Sequence, residues 1–139
     1  MIDSDGDQVG FVRFSPTGED IRVQGQITLP QLADGNRGFH IHETGRCDPP
    51  DFESADGHYD PHGAPHGGPD DPPEERHAGD LGNVEFGPGG EAEIDLVAPG
   101  LRLDEIIGLA VLVHEEEDDL TTDPTGDSGD RAACGVIRP

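Results

Sequence analysis

Apolar and polar residues alternate with period two through Ile21-Arg22-Val23-Gln24-Gly25-Gln26-Ile27, which predicts an antiparallel strand with one wet face. Val9 to Phe14 reads as a strand before it, and Gly38 to His42 as a strand after it. In the latter, Phe39 and Ile41 share one face while His40 and His42 share the other. Val84 to Phe86 and Ala92 to Val97 look like a hairpin pair around Gly87-Pro88-Gly89-Gly90. Ile106 to Val113 is apolar throughout except for Gly108, the pattern of a strand covered on both faces. Ala132 to Ile137 closes the chain as a last strand.

The connections are as informative as the strands. Pro30 to Asn36 is a polar link carrying Asp34-Gly35. Residues 43 to 80 are rich in Pro, Gly and His and show no periodicity. A connection that long is uncommon in a compact domain unless it is functional or held by ligands. Residues 115 to 130 form an acidic loop with Gly and Thr, and one short helical turn is expected near Glu117 to Leu120. Asp3-Ser4-Asp5-Gly6-Asp7 imitates the start of a calcium loop. Its Gly comes too early and Phe14 stands where a bidentate Glu belongs, so it reads as a hairpin turn. The pattern predicts one all-β domain over residues 1–139, a β-sandwich or flattened barrel with two long loops.

Composition sharpens this picture. Gly (21) and Pro (13) are too frequent, and hydrophobic residues at 31% too sparse, for a helical protein. The net charge is −23, from 31 acidic residues against eight basic ones, every one of which is Arg. Such a surface repels nucleic acid and anionic lipid, so neither is expected as a partner. The balance suits a halophile's solvated surface, because the Debye length falls to ~3 Å near 1 M salt and self-repulsion is screened. No apolar run reaches membrane length, so no membrane insertion is expected, and no basic-then-apolar signal segment opens the chain. Cys47 and Cys134 lie 87 residues apart. They read either as two buried thiols or as a bridge closing a long loop. A bridge would favour an oxidising compartment.

The histidines carry the chemistry. His40-Ile41-His42 presents two imidazoles from one strand face, a pattern shared by metal sites and ordinary polar faces. The long loop supplies His58, His66 and His77, with Asp80 three residues after the last; three His and one carboxylate suit tetrahedral zinc. His114 ends an otherwise apolar strand, where it is either a satisfied core histidine or a further metal ligand.

Gly38-Phe39-His40-Ile41-His42-Glu43, Gly57-His58-Tyr59-Asp60-Pro61, His66-Gly67-Gly68-Pro69, Arg76-His77-Ala78-Gly79-Asp80-Leu81-Gly82-Asn83, Val113-His114-Glu115 and Arg131-Ala132-Ala133-Cys134-Gly135-Val136-Ile137 together resemble the successive signatures of the copper/zinc superoxide dismutase family. They occur in family order across residues 9 to 137. The resemblance implies a Greek-key, immunoglobulin-like β-sandwich and a superoxide dismutase, an antioxidant oxidoreductase that uses a copper ion and a zinc ion. It assigns His40, His42, His58 and His114 to copper, and His58, His66, His77 and Asp80 to zinc, so that His58 bridges the two metals. It pairs Cys47 with Cys134 in a disulfide. It places Arg131 beside copper to attract superoxide, with His58 passing the proton, and makes Asp118 the carboxylate linking His40 to His66. His62 matches no ligand position.

The chain also departs from the family pattern. The family's first strand is nearly absent, with Met1-Ile2 standing for its end. The segment from Gly100 to Ile107 is short, and Leu109 replaces a common arginine. The last loop lacks the steering lysines of many relatives, and Arg138-Pro139 leaves a homodimer interface open. Periplasmic, extracellular or cell-surface localisation is expected, with a cytoplasmic one left open. The main rival reading is a non-enzymatic copper/zinc-binding module of the same fold, for metal delivery or buffering. From the charge alone, the thermal midpoint should rise as KCl goes from about 0.1 M to about 3 M. A flat profile by calorimetry would contradict the salt adaptation.

Overall fold

A computed structural model describes all 139 residues. The strands are β1 (Ile2–Asp3), β2 (Gly10–Thr17), β3 (Asp20–Thr28), β4 (Gly35–His42), β5 (Asp80–Phe86), β6 (Glu91–Ala98), β7 (Ala110–His114) and β8 (Arg131–Val136), with one helical turn, α1 (Leu103–Ile106). They form a five-stranded sheet in the order β1-β8-β7-β4-β5 and a three-stranded sheet in the order β2-β3-β6. All pairings are antiparallel. The result is a β-sandwich.

Period-two alternation explains how the two sheets meet. β3 turns Ile21, Val23 and Ile27 inward, and β6 turns Ala92, Ile94 and Ala98 inward. They face Phe39 and Ile41 of β4, Val84 and Phe86 of β5, and Val111 and Val113 of β7, all in one core cluster. The opposite face of the larger sheet is covered too. There Ala110, Leu112 and Cys134 pack with Phe52 and Ala55 of the long loop. Every residue of β7 is therefore buried, which is why its sequence is apolar up to His114.

This covered outer face positions the histidines. His40 stands opposite Leu112 and His42 opposite Ala110 in the β4–β7 register. His114 continues the same face of β7 after Ala110 and Leu112, beyond a register shift between Val113 and His114. Residues 43–79 fold over this face with only two short 3-10 turns, Glu53–Ala55 and Pro73–Glu75.

Three local expectations are corrected. β5 and β6 are not a hairpin: β5 pairs with β4 and β6 pairs with β3, in different sheets. The Gly87–Gly90 turn is closed by a bond from Gly87 N to Glu91 O, but it carries the chain around the corner of the sandwich. Gly90 allows this with φ +78° and a backbone pressed against Leu29 and Pro30, where no Cβ fits. The apolar run from Ile106 is not all strand. Leu103–Ile106 makes a helical turn capped by the Glu105 side chain accepting from Arg102 N at 2.9 Å, and Gly108 at φ +93° breaks it from β7. Ile106 still buries into the core while Ile107 points to solvent. Finally, Glu117 to Leu120 is not helical. Asn83 pins the backbone at Asp118, donating to its carbonyl at 3.0 Å and accepting from its N–H at 2.7 Å.

Asp3 to Asp7 forms a tight turn, with Asp3 N donating to Asp7 O at 2.9 Å. β1 pairs Ile2 with Cys134 and Asp3 with Ala133, and Ile2 also bridges Gln8. Cys47 and Cys134 form a disulfide across 87 residues of chain, tying the long loop to β8. In the chain-entropy model a loop of this size contributes ~4–5 kcal/mol. Reduction should lower the thermal midpoint by at least about 10 °C, measured by circular dichroism with and without a reductant.

Candidate metal centre

Buried polar groups converge on the outer face of β4 and β7. His40, His42, His58 and His114 each bring one ring nitrogen within 4.8 Å of the others. His58, His66, His77 and Asp80 do the same on the far side of His58. The two groups share His58. β4 contributes His40 and His42, β7 contributes His114, the long loop contributes His58, His66 and His77, and Asp80 opens β5. His58 is docked against β4 by an isolated bridge to His42.

The outward nitrogens of these rings are held by fixed partners. His40 Nε2 donates to Asp118 Oδ2 at 2.6 Å, and His66 Nε2 to Asp118 Oδ1 at 2.8 Å. His42 Nδ1 donates to the carbonyl of Asp56 at 2.8 Å, and His114 Nδ1 to that of Gly129 at 3.2 Å. These bonds set each tautomer and aim the other nitrogen inward. Inside the first group, His42 Nε2 and His114 Nε2 face each other at 3.3 Å. Inside the second, His58 Nδ1 lies 3.2 Å from His77 Nδ1 and 3.0 Å from Asp80 Oδ1. Asp80 Oδ2 accepts from the N–H groups of Gly67 and His77, leaving Oδ1 for the cluster.

Whether this arrangement fits metal ions can be tested on its own atoms. His40 Nδ1 and His58 Nε2 are fully buried and make no hydrogen bond, and His66 Nδ1 is as buried with only Asp80 Oδ1 beside it at 3.0 Å. Leaving such a group unsatisfied costs about 1–3 kcal/mol each. Their lone pairs are satisfied if a cation occupies each cluster. Four imidazoles suit copper, and three imidazoles with one carboxylate suit tetrahedral zinc.

The electrostatics divide the same way. Burial holds His42 and His114 well below the usual imidazole range, and it lowers His58 to about 4 against the opposing pull of Asp80. Burial also lowers His40, although Asp118 resists it. These rings stay neutral, as ligands must. In the second cluster, burial would lower His66, but hydrogen bonds to Asp118 and Asp80 outweigh it and lift the ring to about 9. Burial would raise both carboxyls, yet their imidazole partners hold Asp80 and Asp118 well below the carboxylate range.

Arg131 begins β8 opposite His114. Its Nη1 donates to Phe52 O at 2.6 Å and its Nη2 to Asp56 O at 2.5 Å, so the guanidinium plane is locked to the long loop. Burial lowers its pKa, and the nearby Glu53, Asp56 and Asp51 counter that. His62 sits exposed in the loop, apart from both clusters.

Sequence reasoning missed the carbonyl acceptors of Asp56 and Gly129 and the role of Asn83. Main-chain acceptors have no residue signature, and Asn83 showed only as part of a motif.

An all-β sandwich with two buried, metal-competent clusters sharing one imidazole defines a binuclear metalloprotein. The model of the copper/zinc superoxide dismutase (SODC) family matches residues 8–137, and the chain belongs to that family. The family's metals are copper and zinc, and the two clusters are suited to hold them. The chain is 33% identical to superoxide dismutase [Cu-Zn] 1 of Aquifex aeolicus over 99% of its length and 85% of the relative's. It is 35% identical to the superoxide dismutase-like protein YojM of Bacillus subtilis, over 99% and 73%. A crystal structure of a double mutant of a SOD-like protein from Bacillus subtilis superposes with a TM-score of 0.91 at 35% identity, covering 99% of this chain and 94% of that one.

The raised pKa of His66 yields a signed expectation. Near pH 7.5 the metal-free ring is protonated, so zinc entering at Nδ1 must displace that proton, and about one proton should be released per zinc. Calorimetric titration in buffers of different ionisation enthalpy reads this number. A value near zero would mean that Asp80 and Asp118 do not hold the proton.

Proposed function

We propose that this protein is a superoxide dismutase, with His40, His42, His58 and His114 holding copper and His58, His66, His77 and Asp80 holding zinc. The observation that carries the reading is the shared His58, flanked by a full set of inward nitrogens, with the fixed cation of Arg131 opposite His114. Two superoxide ions and two protons yield one dioxygen and one hydrogen peroxide. Copper, when bound, supplies the one-electron redox chemistry, while zinc is redox-silent.

The chain's own residues do the remaining work. Arg131 offers a positive charge with a fixed plane, and its remaining N–H groups suit a small oxygen anion. His58 presents Nε2 without a hydrogen-bond partner and keeps Nδ1 against Asp80. Nε2 is therefore the atom placed to take up a proton from solvent and pass it to the departing peroxide. Asp118 fixes His40 and His66 together.

The charge of −23 supports an adaptation to high salt and weak long-range attraction of anions. The disulfide supports an oxidising compartment, periplasmic or extracellular. A second reading, copper/zinc binding without turnover, is favoured by the likeness to proteins named only superoxide dismutase-like. Both ligand sets and Arg131 are complete here, which favours the enzyme.

The test is superoxide removal by the copper- and zinc-loaded protein in molar salt. Near-diffusion-limited turnover is expected, with Arg131→Ala slower by about 10-fold or more. The wild-type rate constant should hold or rise with salt, since no net attraction is there to screen. Negligible turnover with both metals bound would establish the non-enzymatic reading instead.

A further inference from the structure

Asp118 joins His40 to His66 only because nothing stands where Gly126 lies. Gly126 is buried in the loop between β7 and β8, with its backbone in the left-handed region at φ +69°. A Cβ at this position would overlap Asp118 Oδ1 outright, and it would come within 2.6 Å of His66 Nε2 and 2.7 Å of Asp118 Cγ. The bare α-carbon thus roofs the hydrogen bond between His66 and Asp118.

The roof is held in place by its own loop. Gly126 N donates to Thr122 O at 2.6 Å, and Gly126 O accepts from Asp119 N at 2.9 Å. The Asp119 carboxylate organises the turn that supplies Thr122 O. It accepts from the N–H groups of Thr121 at 2.9 Å and Thr122 at 2.8 Å, and from the Thr122 hydroxyl. These bonds hold the exposed Asp119 carboxyl down at about 2. From the other side Asn83 grips the main chain of Asp118. Leu120 N adds a second bond to Oδ1, at 2.8 Å.

We infer that Gly126 is a positioning residue for the carboxylate that links the two metal clusters: its missing side chain lets residues 119–126 close over Asp118 and His66 and keeps water from their hydrogen bond. The inference rests on the reading of the two clusters as copper and zinc ligands. It is read through hydrogen bonding and metal affinity, so its failure is distinguishable from absence of turnover. An oriented imidazole with a sealed partner binds metal more tightly than a loose one, typically by ~10–100-fold.

The experiment compares Gly126→Ala with Gly100→Ala. Gly100 has a similar φ of +73°, but a Cβ there meets nothing within 4 Å, so it isolates the cost of the backbone conformation. In the metal-free protein, NMR should show the Nε2 proton of His66 exchanging with water at least ~10-fold faster in Gly126→Ala. Zinc affinity should fall ~10–100-fold, and Gly100→Ala should change neither. Asp118→Ala removes the oxygen that the new methyl would overlap, leaving only the His66 ring in its way, so adding Gly126→Ala to it should lower zinc affinity by clearly less than it does when Asp118 is present. The inference is overturned if Gly126→Ala leaves exchange and affinity unchanged, or if its effect is the same with and without Asp118. Should Gly126→Ala fail to fold, the double variant must fold, and failure of both overturns it equally.

Discussion

Ring nitrogens buried without partners are the constraint on which the rest of this structure depends. His40 Nδ1 and His58 Nε2 have neither protein partner nor access to solvent, and His66 Nδ1 has only the Asp80 carboxylate, at 3.0 Å. Such atoms persist only if the surroundings over-determine their position and a cation offsets their cost. Each is anchored through the ring's opposite side or through the backbone that carries it. Asp118 holds two rings, main-chain carbonyls hold His42 and His114, and Asp80 holds the cluster beyond His58. The anchors come from four separate stretches of chain. No single one of them could impose the geometry.

The sandwich provides the rigid half of this arrangement and the loops provide the adjustable half. β4 and β7 deliver three imidazoles from one sheet face at fixed register. The long loop must then be brought to that face without regular secondary structure. It is tied at the disulfide to β8, at Phe52 and Ala55 to the second apolar cluster, and at two carbonyls to Arg131. Arg131 therefore has two duties. It closes the loop over the site while keeping a positive charge next to His114.

Positive charge is scarce in this chain, and its distribution is informative. Arg22, Arg46 and Arg102 pair with exposed carboxylates, where ion pairs contribute little. Arg37, Arg76 and Arg131 instead bond backbone carbonyls and join loops to the sandwich. The guanidinium fork lets one side chain satisfy two carbonyls that have no ladder partner, something a lysine point charge would do less well. The absence of Lys is thus compatible with loops this long.

The sequence by itself determined the strand faces and the ligand inventory. Period-two alternation placed Phe39 and Ile41 against the core and His40 and His42 on the opposite face, because strand side chains must alternate. The apolar run of β7 up to His114 announced a strand covered on both sides. Tertiary structure decided what alternation cannot encode. It sent β5 and β6 to different sheets although their turn closes like a hairpin's, because pairing depends on which edge is nearest in space. It ended α1 at Ile106 and started β7 at Ala110, since Gly108 takes a conformation that hydrophobicity does not report. It also chose main-chain carbonyls of Asp56 and Gly129 as imidazole partners, and it set Gly126 over the Asp118–His66 bond. Every residue has a carbonyl and a glycine has no side chain to read, so only the folded chain reveals which of them the site uses.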